Sequence, residues 1–116
     1  MTLERWLVLS AVLFTIGLYG ALTKRHAVAV LMAIEIMFGA VNIAALAMSR
    51  YVVPFALRAN AADVEGVASL VLTGQVFAVF IITIAAAEVA LGLALVIAIY
   101  RSRETVDVTR VNLMKR

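Results

Sequence analysis

Three long stretches of this chain carry almost no charge, and nothing else constrains its fold as tightly. The first runs from Trp6 to Thr23, between Arg5 and Lys24. The second runs from Ala27 to about Ser49 and is interrupted only by Glu35. The third is uncharged from Gly66 to Tyr100 apart from Glu88. At 1.5 Å of rise per residue the first stretch alone covers roughly 27 Å as a helix, close to the hydrocarbon thickness of a bilayer. The third is far longer than the ~20 residues a span requires. Its least apolar break is Thr73-Gly74-Gln75, which places the helix from about Gln75 to Tyr100.

The expected architecture is therefore an all-α integral membrane protein, a single domain over residues 1–116. Its three-transmembrane-helix bundle has helices over about 6–23, 27–49 and 75–100, an outward loop over about 50–74 and a tail over 101–116. Composition agrees. Hydrophobic residues make up 66% of the chain and charged residues 15%, against about 45–50% and about 25% in ordinary globular domains. The Trp6–Leu22 stretch is long for the apolar region of a signal peptide, and Thr23-Lys24-Arg25 follows it rather than a small-residue cleavage site. It reads as a retained helix.

There is no cysteine, which excludes disulfides, zinc sites and thiol catalysis. The net charge of +3 comes from basic residues at the ends of apolar runs. That placement indicates anchoring to membrane lipid and no nucleic-acid partner. Three spans put the first short connection and the tail on one side, with Lys24, Arg25, Arg101, Arg103, Arg110, Lys115 and Arg116; the other side has Arg5, Arg50 and Arg58. Short positively charged segments stay cytoplasmic, so the C-terminus is expected in the cytoplasm and the N-terminus outside.

Two acidic residues interrupt the apolar runs. Glu35 lies about eight residues into the second helix, ~12 Å, and Glu88 about twelve residues back from Tyr100, ~18 Å. Both depths fall in the middle portion of a bilayer, where a charged group costs about 2.5–3.5 kcal/mol on insertion scales. Helical spacing puts Gly39 and Asn42 on the side of Glu35, and Ala85 and Gly92 on the side of Glu88. Small residues admit close helix approach and polar ones bond across helices, so both glutamates are expected to face protein rather than lipid. Desolvation favours the neutral acid, and a carboxyl that can be loaded and unloaded is what a proton relay needs. The plainer alternative is a protonated glutamate acting only as an interhelical hydrogen-bond donor.

Other polar residues are secondary candidates. Asn42 reads as a structural hydrogen-bonder that could hold water beside Glu35. Lys24 and Arg25 read as topology determinants with a possible part in the proton path, and His26 as a solvated residue at a helix end. Gly17, Gly20 and Ala21 suggest a packing face on the first helix. No phosphate loop, metal-ligand spacing or nucleophile constellation is present, and nothing in the chain performs redox chemistry by itself.

These residues resemble the subunit K family of the proton-pumping NADH:quinone oxidoreductase, respiratory complex I, whose mitochondrial relative is subunit 4L. Leu13-Phe14-Thr15-Ile16-Gly17 leading to Lys24-Arg25 looks like the family's opening, and Leu31-Met32-Ala33-Ile34-Glu35-Ile36-Met37 with Ala40-Val41-Asn42 its second helix. Most specific are Gly74-Gln75-Val76-Phe77, then Ala85-Ala86-Ala87-Glu88-Val89-Ala90-Leu91-Gly92-Leu93-Ala94, then Tyr100-Arg101. The ending Val111-Asn112-Leu113-Met114-Lys115 is also similar. The segment from Arg50 to about Thr73 looks longer than the family's loop.

The resemblance implies that Glu35 and Glu88 are the family's two membrane-embedded glutamates. It places the subunit in the membrane arm, between quinone-site and antiporter-like subunits, on a buried hydrophilic axis coupling quinone reduction to proton pumping in a bacterial inner membrane. NADH, FMN, iron–sulfur clusters and the quinone site would belong to other subunits, with no cofactor bound by this chain. Three rival readings differ in class: a small subunit of a multi-subunit cation/proton antiporter, a self-contained small multidrug transporter, and a purely structural assembly subunit. The antiporter subunit lacks the glutamate pair. The multidrug type needs a fourth helix and an aromatic cage, whereas the only tryptophan here is Trp6.

Overall fold

A chain crossing lipid must satisfy its backbone N–H and C=O groups internally, which leaves helices as the available form for apolar runs of this length. The computed structural model describes residues 2–59 and 64–112, and it consists of three helices: α1 (Leu3–Thr23), α2 (Ala27–Ala59) and α3 (Val64–Arg103). All three are long and apolar enough to cross a membrane, over Leu3–Thr23, Ala27–Val52 and Val71–Arg103. The protein is a multi-pass integral membrane protein. Hydroxyls inside the spans are satisfied locally: Thr15 donates to the Ala11 carbonyl at 2.8 Å and Thr83 to the Val79 carbonyl at 2.9 Å.

The expectation of a loop over 50–74 is corrected. Residues 50–59 continue α2 and residues 64–74 open α3. Arg50, Arg58 and Glu65 end the lipid-crossing portion, but arginine, glutamate, alanine and leucine are all good helix formers in water. Pro54 removes one amide donor, the one that would reach the Arg50 carbonyl. That carbonyl lies near the end of the apolar span, where water can take the donor's place. Asn60 and Asp63 lie outside the described residues, as do Lys115 and Arg116 of the tail. With 33 and 40 residues, α2 and α3 reach about 50 and 60 Å, and the molecule measures 68 × 24 × 21 Å.

The bundle is a row with α2 in the middle. It packs against both neighbours, and among the described residues no part of α1 approaches α3. Along the first seam, Ala33, Ala40 and Ala47 are buried at seven-residue spacing, the repeat that keeps one helix face against an antiparallel partner with left-handed winding. Gly17 sits opposite: a Cβ there would meet Met37 Cγ at 2.6 Å and the Ala33 carbonyl oxygen at 2.8 Å. About two turns further along, the buried Ser10 hydroxyl donates to the Ala40 carbonyl at 2.6 Å. Along the second seam, Gly92 admits Leu31 and Gly74 admits Ser49. These are the contacts by which helices associate where lipid supplies no hydrophobic drive.

The tail closes one end. Glu104 takes a left-handed conformation (φ 55°) and its N–H bonds the Tyr100 carbonyl at 2.7 Å, which ends α3 and turns the chain back. His26 and Asp107 then pair as an antiparallel bridge, through Ala27 N–H to the Val106 carbonyl at 3.0 Å and Val108 N–H to the Arg25 carbonyl at 2.9 Å. The first connection and the tail therefore share an end.

The seam at Gly17 gives a paired prediction. Gly17→Val should lower the thermal stability of the detergent-purified subunit by about 1–3 kcal/mol, the usual cost of overpacking. Gly39→Ala, where a Cβ meets nothing within 4 Å in this chain, should leave that stability unchanged, as read by helical circular dichroism on heating.

Candidate functional site

The register of the second seam decides where the two membrane carboxyls lie. Leu31 of α2 abuts Gly92 of α3. Four residues onward in α2 is Glu35, and four residues back in α3 is Glu88, so antiparallel packing sets the two at the same level. The Ser49–Gly74 contact obeys the same register. Both glutamates line one groove of about 320 Å3, together with Leu31, Phe38, Ala85 and Gly92. The absence of a side chain at Gly92 lets α3 approach the Leu31 turn, and the single methyl of Ala85 leaves room beside both acids.

A second groove of about 210 Å3 continues toward Asn42, lined by Glu35, Phe38, Gly39, Asn42, Ile81 and Ala85. Glu35 is common to both, so one track runs from Asn42 past Glu35 to Glu88. The Asn42 side-chain oxygen is buried and has no hydrogen-bond partner in the chain. A buried acceptor left unpaired is costly, by about 1–3 kcal/mol, so this site is short of a donor. Gly39, one turn from Glu35, faces open space.

Glu35 and Glu88 are both exposed on the single chain. Helices in a row leave one side of each groove unwalled, because α1 packs on a different face of α2. Glu35, Asn42 and Glu88 are brought together along one track; Lys24 and Arg25 line neither groove. Lys24 instead caps α1, its N–H bonding the Gly20 carbonyl at 3.1 Å. No group of three or more potential metal ligands occurs among the described residues.

Sequence reasoning missed the tail. Its one signal was the alternation Thr105-Val106-Asp107-Val108-Thr109, a short strand-like pattern. Asp107 Oδ1 accepts from the Thr109 hydroxyl at 2.6 Å and from its backbone N–H at 2.9 Å. These two bonds from Thr109 hold the Asp107 carboxyl below its ordinary range against an opposing desolvation, with lesser help from Arg110 and Arg25.

Three apolar helices and a carboxyl pair level across one seam define a small multi-pass membrane protein. Residues 5–116 match the family described as NADH-ubiquinone/plastoquinone oxidoreductase chain 4L, and the chain belongs to that family. It is similar to the NAD(P)H-quinone oxidoreductase subunit 4L of Synechocystis, 48% identical over 115 residues that cover 99% of this chain and 97% of that one. It is also similar to the NADH-quinone oxidoreductase subunit K of Brevibacillus brevis, at 47% over 116 residues covering 100% and 98%. The chloroplastic subunit 4L of Chlorokybus atmophyticus is 44% identical over 116 residues, covering all of both chains.

The lowered Asp107 fixes the sign of a pH effect on the tail. A carboxyl whose folded value lies below its unfolded one stabilises the docked form above the unfolded value, near 3.8 here, and loses that contribution as pH falls through the folded value. The distance between spin labels at Lys24→Cys and Asn112→Cys, which leave Thr109 in place, should therefore hold steady from pH 8 to about 5 and broaden only below about 4.

Proposed function

We propose that Glu35 and Glu88 carry protons within a proton-translocating NADH:quinone oxidoreductase, complex I, of which this chain is a membrane-arm subunit without redox activity of its own. The observation that carries the reading is the pair of carboxyls at one level on one groove. Acids so placed share one path, along which one gives up a proton as the other takes it up. Water along the track toward Asn42 supplies the route by which the proton moves on, with the unpaired Asn42 oxygen as an anchor.

In this reading the open side of the groove is walled by neighbouring membrane subunits, those bearing the quinone site and the antiporter-like pumps. The wall shelters the acids from lipid. NADH, FMN, iron–sulfur clusters and quinone are handled by other subunits. Membership of the oxidoreductase family favours this assignment over the cation/proton antiporter. Seven basic residues on the side of the first connection and the tail, against three on the other, support a cytoplasmic C-terminus in a bacterial inner membrane.

Glutamine keeps the shape of glutamate and cannot carry the proton. Glu35→Gln and Glu88→Gln complexes should assemble and pass electrons from NADH to a soluble acceptor as the parent does. Quinone-coupled proton uptake into vesicles, read with a pH-sensitive dye, should fall by about 100-fold, the lower end of what a positioned proton carrier contributes. The double variant should be no worse than the weaker single one, since two members of one relay do not add. Normal pumping in either variant would refute the relay, and loss of assembly would make the glutamates structural.

The chain's lack of cysteine permits a clean topology test. Ser102→Cys should react with a membrane-impermeant maleimide only in inside-out vesicles, and Thr2→Cys only from the outside.

A further inference from the structure

An apolar cavity of about 220 Å3 lies at the end of the bundle away from the α2–α3 connection. The first turn of α2 (Ala27), the last turns of α3 (Val96 and Ile99) and the returning tail (Val106, Val108 and Val111, with Thr105 as the one polar member) form its wall. It occurs where the α2 span begins and the α3 span ends, which is the level of lipid headgroups. Its lining is almost entirely hydrocarbon. Its rim is not. The Arg25 carbonyl is bonded by Val108 N–H, so Arg25 is fixed beside a wall residue, and Arg110 immediately precedes another, Val111.

Arg25 directly precedes His26 and Arg110 follows Asp107 by three residues, so both flank the His26–Asp107 bridge and put two positive charges at the rim. Asp107 is already engaged by the hydroxyl and N–H of Thr109. Arg101 and Arg103 stand in the last turn of α3, and Lys24 ends α1. Five basic side chains against Glu104 and Asp107 leave this end net positive. A hydrocarbon pocket at headgroup depth beneath a positive rim matches an amphiphile with an anionic head. Free phosphate would have no use for the apolar wall.

We propose that this cavity binds an anionic phospholipid, its acyl chain against Val96, Ile99, Val106 and Val108 and its phosphate held by Arg25 and Arg110. Clustered basic residues at the cytoplasmic end of membrane helices attract anionic lipid, and here the tail adds a wall for the chain as well as charge for the head. The site is distinct from the carboxyl groove and stands on the membrane spans, not on the proton path.

The test uses the intact complex that contains this chain, reconstituted in nanodiscs of phosphatidylcholine with a trace of phosphatidylglycerol bearing a photoreactive diazirine on its acyl chain. Irradiation should label residues 96–111 of this chain, and phosphatidylcholine bearing the same diazirine should label them at least fivefold less. Arg25→Gln with Arg110→Gln should reduce phosphatidylglycerol labelling about 30-fold, as expected from the loss of two basic groups near an anionic head. Arg5→Gln, at the other membrane face, should leave it unchanged. Val108→Trp fills the cavity without touching the arginines and should abolish labelling in a complex that still assembles. Inorganic phosphate should not compete. Equal labelling by the two lipids, labelling indifferent to the arginine changes, or a tail left unlabelled because a neighbouring subunit covers it would each overturn the proposal.

Discussion

Close approach of α2 to both neighbours is the constraint on which the rest of this molecule depends. In hydrocarbon, apolar side chains gain nothing by leaving lipid for protein, so helices hold together through contacts that only small residues permit. Gly17 admits the backbone at Ala33, and Gly92 admits the Leu31 side chain. Each contact acts at one point along its helix, and each therefore fixes a register. The register of the second seam sets the two carboxyls level; the register of the first holds α1 as a brace on another face. Buried core in the ordinary sense is slight, limited among the described residues to a few alanines, Ser10 and Gly17.

Much of this was legible in the sequence, for reasons that can be named. The three spans stand out because lipid demands about 20 apolar residues in a row. Glu35 and Glu88 stand out because a carboxyl is expensive there. The helical continuation through residues 50–59 and 64–74 left no such trace. Outside lipid a helix needs no apolar run, and the charges of Arg50, Arg58 and Glu65 were read as breaks in structure when they mark only the edge of the bilayer.

Other features were beyond the reach of a linear reading. Gly39 and Gly92 look alike as small neighbours of a glutamate, yet Gly92 receives Leu31 while Gly39 faces open space. Which glycine packs within the chain and which is left for something else depends on the position of a third helix. The exposure of both glutamates follows from the same fact. A row of three helices cannot enclose a side chain beside its middle member, so a function that needs shelter needs other subunits, in keeping with the family to which the chain belongs. The docking of the tail was hidden because it rests on two backbone bonds and one left-handed residue, Glu104.

Antiparallel pairing of α2 with α3 gives the acid pair the character of a vernier. A slide of one helix past the other by a single turn would offset the carboxyls by about 5.4 Å, and a twist equivalent to one residue would swing an acid about 100° around its axis. Small rigid motions of a neighbour against α2 would thus open or close the gap between the two acids without bending any backbone. Axial position and the spacing of the acids are thus one variable, and the fit of one leucine into the notch of one glycine holds it.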